Sequence, residues 1–269
     1  MNQIKEIKDP NVLEEKNQLF KKFKKEHEEE EIILQSLEYW NSFIKKNYSP
    51  IIDMFTGLFM GEIICHKCNN RNVNFESFNI LPLSISQETN SLTDCLKEFT
   101  KADLLTGENK YKCDNCKDYC EASKRMFIWD LPEMLIIQFK RFSNTGRRTS
   151  KNDKLIKFPL ENLTFEDTYH QYRIRDYVYN LYGVVFHMGG LGGGHYISYT
   201  KNPINNKWYR YNDETVHHIP DESIEAELQS SGSYILFYKK VYKASEKSDI
   251  DVFGDNVSDD GFTSEEDVK

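Results

Sequence analysis

The chain has 269 residues, enough for one large domain or two small ones, and its 17 Phe, 16 Tyr and 3 Trp are ample for a hydrophobic core. Most of the net charge of −8 lies near the end, where nine acidic residues outnumber Lys247 and Lys269, so residues 241–269 are predicted to be a disordered acidic tail. The nearly neutral remainder lacks the broad basic face of a nucleic-acid-binding protein.

Membrane and secreted proteins are also disfavoured. No apolar stretch approaches the roughly 20 residues needed to cross a bilayer, and the start of the chain lacks the apolar segment of a signal peptide. We therefore expect no membrane partner, no nucleic-acid partner and a location in the cytoplasm, the nucleus or both. The sequence leaves the oligomeric state open.

The chain begins with a predicted charged helical segment over residues 1–38, since Lys and Glu dominate its first thirty positions. Apolar residues then recur at intervals of four, three and four, which predicts a helix that ends near Lys46. Its core-facing stripe is expected to consist of Ile33, Leu37, Trp40 and Ile44. Pro50 breaks this helix, because proline cannot continue it.

The next region, residues 51–83, is predicted to be rich in β-strand. A short helix follows, which Ser91 or Thr93 can cap through its hydroxyl group. Cys95 falls inside that helix, where a lone thiol is more typical of a small buried hydrophobe than of a nucleophile.

Two cysteine pairs with C-x2-C spacing interrupt this part of the chain, Cys65 with Cys68 and Cys113 with Cys116. Each spacing lets two thiolates hold one metal ion, and two such turns complete a tetrahedral shell of four sulfurs. Disulfides are the alternative, but they need an oxidising compartment. The pairs therefore predict one structural zinc ion, and Asn69 and Asn70, which follow the first pair, suit the left-handed backbone of a tight turn.

Aromatic and β-branched runs predict strands over most of the remaining chain. Residues 124–130 and 134–142 are expected to form two long antiparallel strands around a Leu-Pro step. Shorter strands are predicted at residues 177–186, 196–199, 208–211 and 234–238. The fold class is therefore α+β, with a helical start and a mostly antiparallel β body that carries a zinc-bound projection.

A run of glycines over residues 189–194 leads into His195 and Tyr196. It does not fit a phosphate-binding loop, because it lacks the Lys-Ser/Thr of a P-loop and precedes a strand. The glycines can instead let another backbone approach closely beside the histidine.

A hairpin across residues 203–206 is expected to return Asn212 and Asp213 to the neighbourhood of His195. A carboxamide or carboxylate there can orient the ring of a histidine general base. A histidine with a purely structural role is the alternative.

Six segments, taken in order, resemble the C-terminal two thirds of the catalytic domain of ubiquitin-specific proteases, a family of papain-like deubiquitinases. The segments are 49–57 (Ser-Pro-Ile-Ile-Asp-Met-Phe-Thr-Gly), 91–99 (Ser-Leu-Thr-Asp-Cys-Leu-Lys-Glu-Phe), 131–142 (Leu-Pro-Glu-Met-Leu-Ile-Ile-Gln-Phe-Lys-Arg-Phe), 193–196 (Gly-Gly-His-Tyr), 208–213 (Trp-Tyr-Arg-Tyr-Asn-Asp) and 234–238 (Tyr-Ile-Leu-Phe-Tyr). Each segment alone is weakly specific, whereas six in order with the cysteine spacing are not expected by chance.

The resemblance implies a thumb, palm and fingers arrangement. Residues 39–240 would be a partial catalytic domain, with zinc-bound fingers within about 58–125 and a palm over 126–240. The thumb would be largely missing, with residues 1–38 as its possible end. The fingers of this family grip ubiquitin, so ubiquitin or ubiquitinated proteins are the implied partners.

The resemblance also implies roles for the candidate site residues. His195 corresponds to the general base, Asn212 to its orienting partner and Asp213 to an assisting group. The chemistry implied is hydrolysis of the peptide or isopeptide bond at the C-terminal glycine of ubiquitin, through a thioester.

Substrate-binding positions follow from the same resemblance. Gly193 and Gly194 would border the bound tail of ubiquitin from one side, and residues 142–158 would border it from the other. Tyr196 would stack near the same cleft.

The family's nucleophile is missing from this sequence. It belongs to a Gly-Asn-Thr-Cys-type segment upstream of the zinc knuckles, and no such segment occurs here. Cys120 lies beside the fingers and is a poor substitute. This chain alone is therefore expected to be inactive. The explanations are an incomplete reading frame of an active enzyme, a split gene, or an inactive ubiquitin-binding pseudoenzyme, and the retention of His195 and Asn212 favours the first.

Overall fold

The computed structural model describes residues 26–144, 149–173, 175–190 and 192–242. The helix predicted for the first 25 residues and the acidic tail from residue 243 onwards lie outside these ranges. In the described ranges, no helix is both long and apolar enough to cross a membrane.

The chain alternates a few helices with many strands. The helices are α1 (Glu28–Asn47), α2 (Pro50–Phe55), α3 (Leu92–Phe99) and α4 (Ile224–Leu228). The strands are β1 (Gly57–Cys65), β2 (Arg71–Phe78), β3 (Leu81–Ser84), β4 (Asp103–Leu105), β5 (Tyr111–Cys113), β6 (Asp118–Cys120), β7 (Ala122–Asp130), β8 (Met134–Lys140), β9 (Phe142–Asn144), β10 (Thr149–Lys151), β11 (Val178–Gly190), β12 (Gly193–Lys201), β13 (Trp208–Asn212), β14 (Thr215–His218) and β15 (Ser233–Val241).

A seven-stranded sheet forms the larger part of the fold. Its strand order is β14, β13, β12, β11, β15, β8 and β3, and neighbouring strands are antiparallel except β3 and β8. Alternate residues of β8, namely Leu135, Ile137 and Phe139, are fully buried, as expected for a strand with one face on the core. The α+β class predicted from the sequence is confirmed.

A second sheet has the strand order β2, β1, β7 and β4, and the hairpin of β5 and β6 is inserted in the sequence between β4 and β7. The two long strands predicted around the Leu-Pro step do form, as β7 and β8, but they do not pair with each other. Strand β7 pairs with β1 and β4, whereas β8 lies between β15 and β3. The Leu-Pro step is therefore where the chain passes from one sheet to the other.

Helix α1 packs on the four-stranded sheet through a face that matches the predicted stripe only in part. Ile32 is 3% exposed and belongs to a cluster with Leu58, Met60, Phe127 and Trp129. Ile33 of the predicted stripe packs against this cluster, whereas Leu37 of that stripe is 50% exposed. The hydroxyl oxygen of Tyr39 accepts a hydrogen bond of 2.9 Å from the backbone N–H of Ser77. The helix ends at Asn47, close to the predicted boundary, but its buried face is turned away from Leu37.

The β-rich prediction for residues 51–83 is wrong at its start, where α2 forms instead. Ser49 caps α2, because its hydroxyl accepts a hydrogen bond from the N–H of Ile52, and Pro50 occupies the first turn, where its missing N–H costs nothing. Helix α3 begins after Ser91 as predicted. Ser91 and Asp94 form a reciprocal capping box, in which each side chain accepts from the other's backbone N–H.

Candidate functional site

His195 lies near the start of β12, in a hairpin that this strand forms with β11. Met188 faces His195 across the ladder, and the pairing continues through Gly189 with Gly194 to Gly190 with Gly193. The glycine run is therefore the end of a β-hairpin rather than a long irregular loop. This hairpin holds the histidine at a defined position on the sheet.

Asn212 reaches His195 through the hairpin of β12 and β13, which turns over residues 202–207. The two strands pair Ser198 with Tyr211, which leaves Asn212 at the end of β13 beside the histidine. His195 Nε2 lies 2.5 Å from Asn212 Oδ1. Because an amide oxygen can only accept, Nε2 carries the proton and Nδ1 keeps its lone pair.

Asp213 is the third member of the predicted group and is more loosely placed. It sits in the turn between β13 and β14 with a left-handed backbone (φ 50°), which an aspartate adopts more readily than most residues. Its Oδ2 lies 3.9 Å from His195 Nε2, and its side chain is 77% exposed. At this distance and exposure, Asp213 contributes little electrostatic energy to the histidine.

The predicted substrate-binding residues lie on the same hairpin. Gly193 takes an extended backbone with φ of 159°, and Gly194 follows it at the start of β12. Tyr196 is 55% exposed and is available to contact a ligand. The structure thus brings Gly193, Gly194 and Tyr196 next to His195, with no side chain on the two glycines to obstruct an approaching backbone.

A second histidine, His187, lies beneath this hairpin and was not found by sequence reasoning. It is 4% exposed, and its ring lies 4.6 Å from the ring of Tyr196, 5.3 Å from that of Phe142 and 6.1 Å from that of Tyr234, between centroids. Its Nδ1 has no hydrogen-bond partner among the described residues. A Cβ atom on Gly194 would overlap the His187 imidazole, so glycine at that position is required for the packing.

The burial of His187 could not be read from strand alternation. Consecutive residues of a strand point to opposite faces, and Phe186 belongs to the main core whereas His187 lies on the other face. His187 is buried there because the rings of Phe142, Tyr196 and Tyr234 surround it. The only sequence signal was the glycine at position 194.

The four knuckle cysteines, Cys65, Cys68, Cys113 and Cys116, form one cluster whose sulfur atoms all lie within 4.8 Å of one another. Two of the Sγ–Sγ distances are 4.0 Å (Cys65 to Cys116) and 3.7 Å (Cys68 to Cys113). A tetrahedral metal with Zn–S bonds of about 2.3 Å separates its sulfurs by about 3.8 Å. The cluster can therefore hold a metal ion and has the dimensions that zinc requires.

Local backbone and hydrogen bonds support the cluster. Asn69 and Lys117, each directly after the second cysteine of its pair, have left-handed φ angles of 54° and 56°. A hydrogen bond from the Asn115 side chain, and then one from the backbone of Asn70, lower the pKa of Cys68 to about 6, whereas the hydrogen bond with Cys68 raises the pKa of Cys116, so that in the absence of a metal Cys68 ionises before Cys116. A thiolate is the form that binds metals.

The remaining two cysteines do not reach the histidine pair. Cys95 is 1% exposed inside α3, and burial raises the pKa of its thiol, as expected for a structural residue. Cys120 is buried against the knuckle cysteines, with its Sγ 3.6 Å from the carbonyl oxygen of Asp118.

Comparisons with known proteins agree on one family. A family model described as ubiquitin carboxyl-terminal hydrolase matches residues 3–238. Ubiquitin carboxyl-terminal hydrolase 2 of Gallus gallus is 34% identical over 208 residues, which cover 76% of this chain and 57% of the relative. The probable ubiquitin carboxyl-terminal hydrolase R319 of Acanthamoeba polyphaga mimivirus is 32% identical over 228 residues, which cover 81% of this chain and 47% of the relative. The chain thus spans about half the length of these relatives.

Solved structures give the same result for the fold. The SAGA Ubp8/Sgf11/Sus1/Sgf73 DUB module bound to ubiquitin aldehyde matches with a TM-score of 0.64 and 28% identity, over 74% of this chain and 44% of that chain. The Ubp8-Sgf11-Sgf73-Sus1 SAGA DUB module matches with a TM-score of 0.62 and 28% identity, over 74% and 42% respectively.

Proposed function

The chain belongs to the ubiquitin carboxyl-terminal hydrolase family, and we propose that it is the C-terminal part of a ubiquitin-specific cysteine protease that hydrolyses the peptide or isopeptide bond at the C-terminal glycine of ubiquitin. The observation that carries this proposal is the contact between His195 and Asn212, with Nε2 and Oδ1 2.5 Å apart. A hydrogen bond of this kind orients the ring and sets the tautomer that a general base needs.

In the proposed reaction, His195 moves protons at its free Nδ1. This nitrogen takes the proton of a cysteine thiol, and the thiolate attacks the carbonyl carbon of the ubiquitin glycine. The imidazolium then gives the proton to the departing amine, which leaves a thioester. A water molecule deprotonated at the same nitrogen attacks the thioester, the C–S bond breaks, and the imidazolium returns the proton to the departing thiolate, which frees the carboxylate. Asn212 holds the ring throughout through Nε2–H.

The thiol in this reaction has to come from outside the 269 residues. Five of the six cysteines lie at the knuckle cluster, and Cys95 is buried in α3. The relatives are about twice as long as the part that this chain matches. We therefore assign the nucleophile to polypeptide that this sequence does not include, and this chain alone is expected not to hydrolyse ubiquitin derivatives.

The cysteine cluster is proposed to hold a structural zinc ion that stabilises the fingers, which grip ubiquitin. The spacing of the sulfur atoms supports zinc, and the ubiquitin aldehyde bound to the similar DUB module supports ubiquitin as the ligand. The six cysteines form no disulfide bonds. Cysteine thiols remain reduced in the cytoplasm and the nucleus, which supports a location in one or both of these compartments.

The proposal is tested with ubiquitin that carries a C-terminal electrophile. The protein encoded by the complete reading frame should react with this probe at one cysteine upstream of residue 1, and His195→Ala should slow the reaction by about 10²–10⁴-fold, as expected for loss of a general base. Val216→Ala, at an exposed site on the neighbouring strand β14, is a suitable control and should react normally. Absence of any labelled cysteine in the complete protein would refute the enzyme assignment.

A ubiquitin-binding protein without protease activity is the second candidate, and it is favoured by the lack of a nucleophile near His195 among the described residues. The chain should then bind ubiquitin, while the complete protein neither reacts with the probe nor hydrolyses a fluorogenic ubiquitin amide. Binding with labelling supports the protease, and binding without labelling supports this second candidate.

A further inference from the structure

Arg141 is a buried cation that makes no ion pair among the described residues: burial has the larger effect and lowers its pKa, whereas the charge of Asp153 favours its charged form. It follows β8 and is 1% exposed. Its Nε donates to the carbonyl oxygen of Ser233 at 2.7 Å, and its Nη1 donates to the carbonyl oxygens of Asn152 and Lys154 at 2.8 Å each. Its Nη2 has no partner among the described residues. The guanidinium group therefore joins two separate stretches of backbone that are about 80 residues apart in the sequence.

Those two stretches are the ends of loops beside the candidate site. Asn152 and Lys154 belong to residues 149–154, which follow β9 and include β10, and Ser233 closes the turn of residues 230–233 before β15. The backbone also ties the first stretch to Arg141, because the N–H of Asn152 donates to the carbonyl oxygen of Arg141 at 2.6 Å.

Both stretches meet at His187, directly behind the glycine hairpin. The carbonyl oxygen of Gly232 accepts from the N–H of His187 at 2.9 Å, and the carbonyl oxygen of His187 accepts from Nζ of Lys151, also at 2.9 Å. The His187 ring in turn lies under Gly194, next to His195. Arg141 thus sets the spacing of the two loops that hold this aromatic layer.

Stability alone does not account for such a residue. Burying a charged group without an ionic partner is costly, and an apolar side chain of similar volume often stabilises a fold more. The guanidinium group instead fixes the two stretches of backbone relative to each other, since its donors lie in one plane and bind three carbonyl groups at once.

We propose that Arg141 is a positioning residue for the cleft that receives the C-terminal tail of ubiquitin: it fixes residues 149–154 relative to residues 230–233 and so keeps His187 and the glycine hairpin in the arrangement that the tail requires. This inference rests on the proposed function. Arg141 touches no reacting atom and acts through the two loops.

The test compares binding of the full chain to intact ubiquitin and to ubiquitin that lacks its C-terminal tail, by calorimetry or NMR titration. Arg141→Met keeps an unbranched side chain but removes all its donors, and should weaken binding of intact ubiquitin by about tenfold, an effect of about 1.4 kcal/mol. Binding of tailless ubiquitin should not change. A residue with only a general structural role would affect both ligands equally.

Two further variants keep the test decisive. Lys140→Met removes the same charge from an exposed neighbour on β8 and should bind both ligands like the wild type. Arg141→Lys retains the charge, but its single nitrogen cannot occupy both the Nε and the Nη1 positions. It should therefore weaken the binding of intact ubiquitin less than Arg141→Met does, and leave the binding of tailless ubiquitin unchanged. If Arg141→Met does not fold, Arg141→Lys decides alone.

The proposal is overturned if the folded Arg141 variants bind intact ubiquitin as tightly as the wild type, or if they lose affinity equally for both ligands. It is also overturned if the wild type binds intact and tailless ubiquitin equally well, a result that would leave ubiquitin binding by the fingers intact. A wild-type chain that binds neither ligand would instead remove the proposed function on which the inference rests.

Discussion

At the scale of single residues, the close contact between the glycine hairpin and the His187 ring governs the candidate site. A Cβ on Gly194 would overlap the imidazole and lie 2.5 Å from the carbonyl oxygen of Met188, whereas a Cβ on Gly190 would meet no atom within 4 Å. A side chain can therefore be added at Gly190 without a clash, whereas at Gly194 it would displace neighbouring atoms.

We expect Gly194→Ala to lower the free energy of unfolding by about 1–3 kcal/mol, the usual range for overpacking, and to weaken ubiquitin binding because His187 is displaced. Gly190→Ala serves as the control and should change the unfolding free energy by less than about 0.5 kcal/mol. Urea unfolding of the two variants measures the difference. Equal changes in the unfolding free energy of the two variants would show that the hairpin accommodates a methyl group at position 194 without loss of stability.

His170 gives the second residue-scale prediction. Burial, followed by the charges of Arg71 and Arg125, lowers the pKa of His170 from its ordinary value to about 4. The unfolded chain, with a histidine pKa of about 6.5, therefore binds more protons than the folded chain between these two values. The stabilisation is complete above about pH 6.5 and is lost as the pH falls towards 4.

The urea midpoint should therefore fall more steeply from pH 7 to pH 4.5 in the wild type than in His170→Phe, which keeps an aromatic ring but cannot be protonated. His217→Phe, at an exposed site on β14, should keep the wild-type slope. Parallel curves for wild type and His170→Phe would mean that His170 does not link folding to pH.

At the scale of elements, the two cysteine turns use the same backbone geometry with different residues. Asn69 holds the left-handed position in the first turn, where asparagine is well tolerated, but Lys117 holds it in the second. The second turn therefore carries more backbone strain than the first.

Lys117→Gly should relieve this strain and raise the free energy of unfolding by about 0.5–1 kcal/mol. Lys112→Gly makes the same change in strand β5, where the backbone is already unstrained, and should be destabilising. Chemical denaturation of the metal-loaded variants measures both values. A loss of stability in Lys117→Gly would contradict the assignment of strain to this turn.

The metal cluster also connects β1 with the β5–β6 hairpin, so its effect is larger than that of any one turn. We expect a chelator to lower the unfolding midpoint of the wild type.

Cys113→Ser should weaken zinc binding by more than about 100-fold, since loss of a residue that only hydrogen-bonds to a metal ligand typically costs about 10–100-fold in metal affinity. Cys120→Ser is the matched control, because Cys120 is buried beside the cluster but is not one of its four members. Competition with a coloured zinc chelator measures both affinities. Equal affinities in the two variants would remove Cys113 from the ligand set.

At the scale of the whole molecule, the helices α1 and α2 expose an unusual amount of apolar surface. The side chains involved are Leu34, Leu37, Tyr48, Ile51 and Met54, which are between 39% and 69% exposed. Exposed apolar surface of this kind marks a contact with further polypeptide, and the relatives contain such polypeptide beyond the part that this chain matches.

The isolated chain should therefore self-associate as its concentration rises, and the triple variant Leu34→Gln, Leu37→Gln and Ile51→Gln should reduce this association without lowering the free energy of unfolding, because these side chains are at least half exposed. Leu104→Gln with Ile204→Gln removes exposed apolar groups elsewhere and should leave association unchanged. Sedimentation velocity over a concentration series measures both. A chain that stays monomeric at every concentration would contradict the prediction.

The sequence by itself determined the features that depend on local spacing. The four knuckle cysteines were identified from two C-x2-C pairs, the cap of α3 was narrowed to Ser91 or Thr93, and the approach of Asn212 to His195 was predicted from the length of one hairpin. In each case the residues involved are held together by a turn or a strand pair whose geometry a short segment specifies.

Only the tertiary structure decided which faces of these elements are buried and which sheet each strand joins. Leu37 and Ile32 are both apolar residues of α1, and it is the four-stranded sheet beneath the helix that buries the second and leaves the first exposed. His187 is buried because the rings of Phe142, Tyr196 and Tyr234 surround it, and Arg141 is buried because two distant loops offer it carbonyl groups. These outcomes depend on contacts between residues far apart in the chain, so no pattern within a short window could contain them.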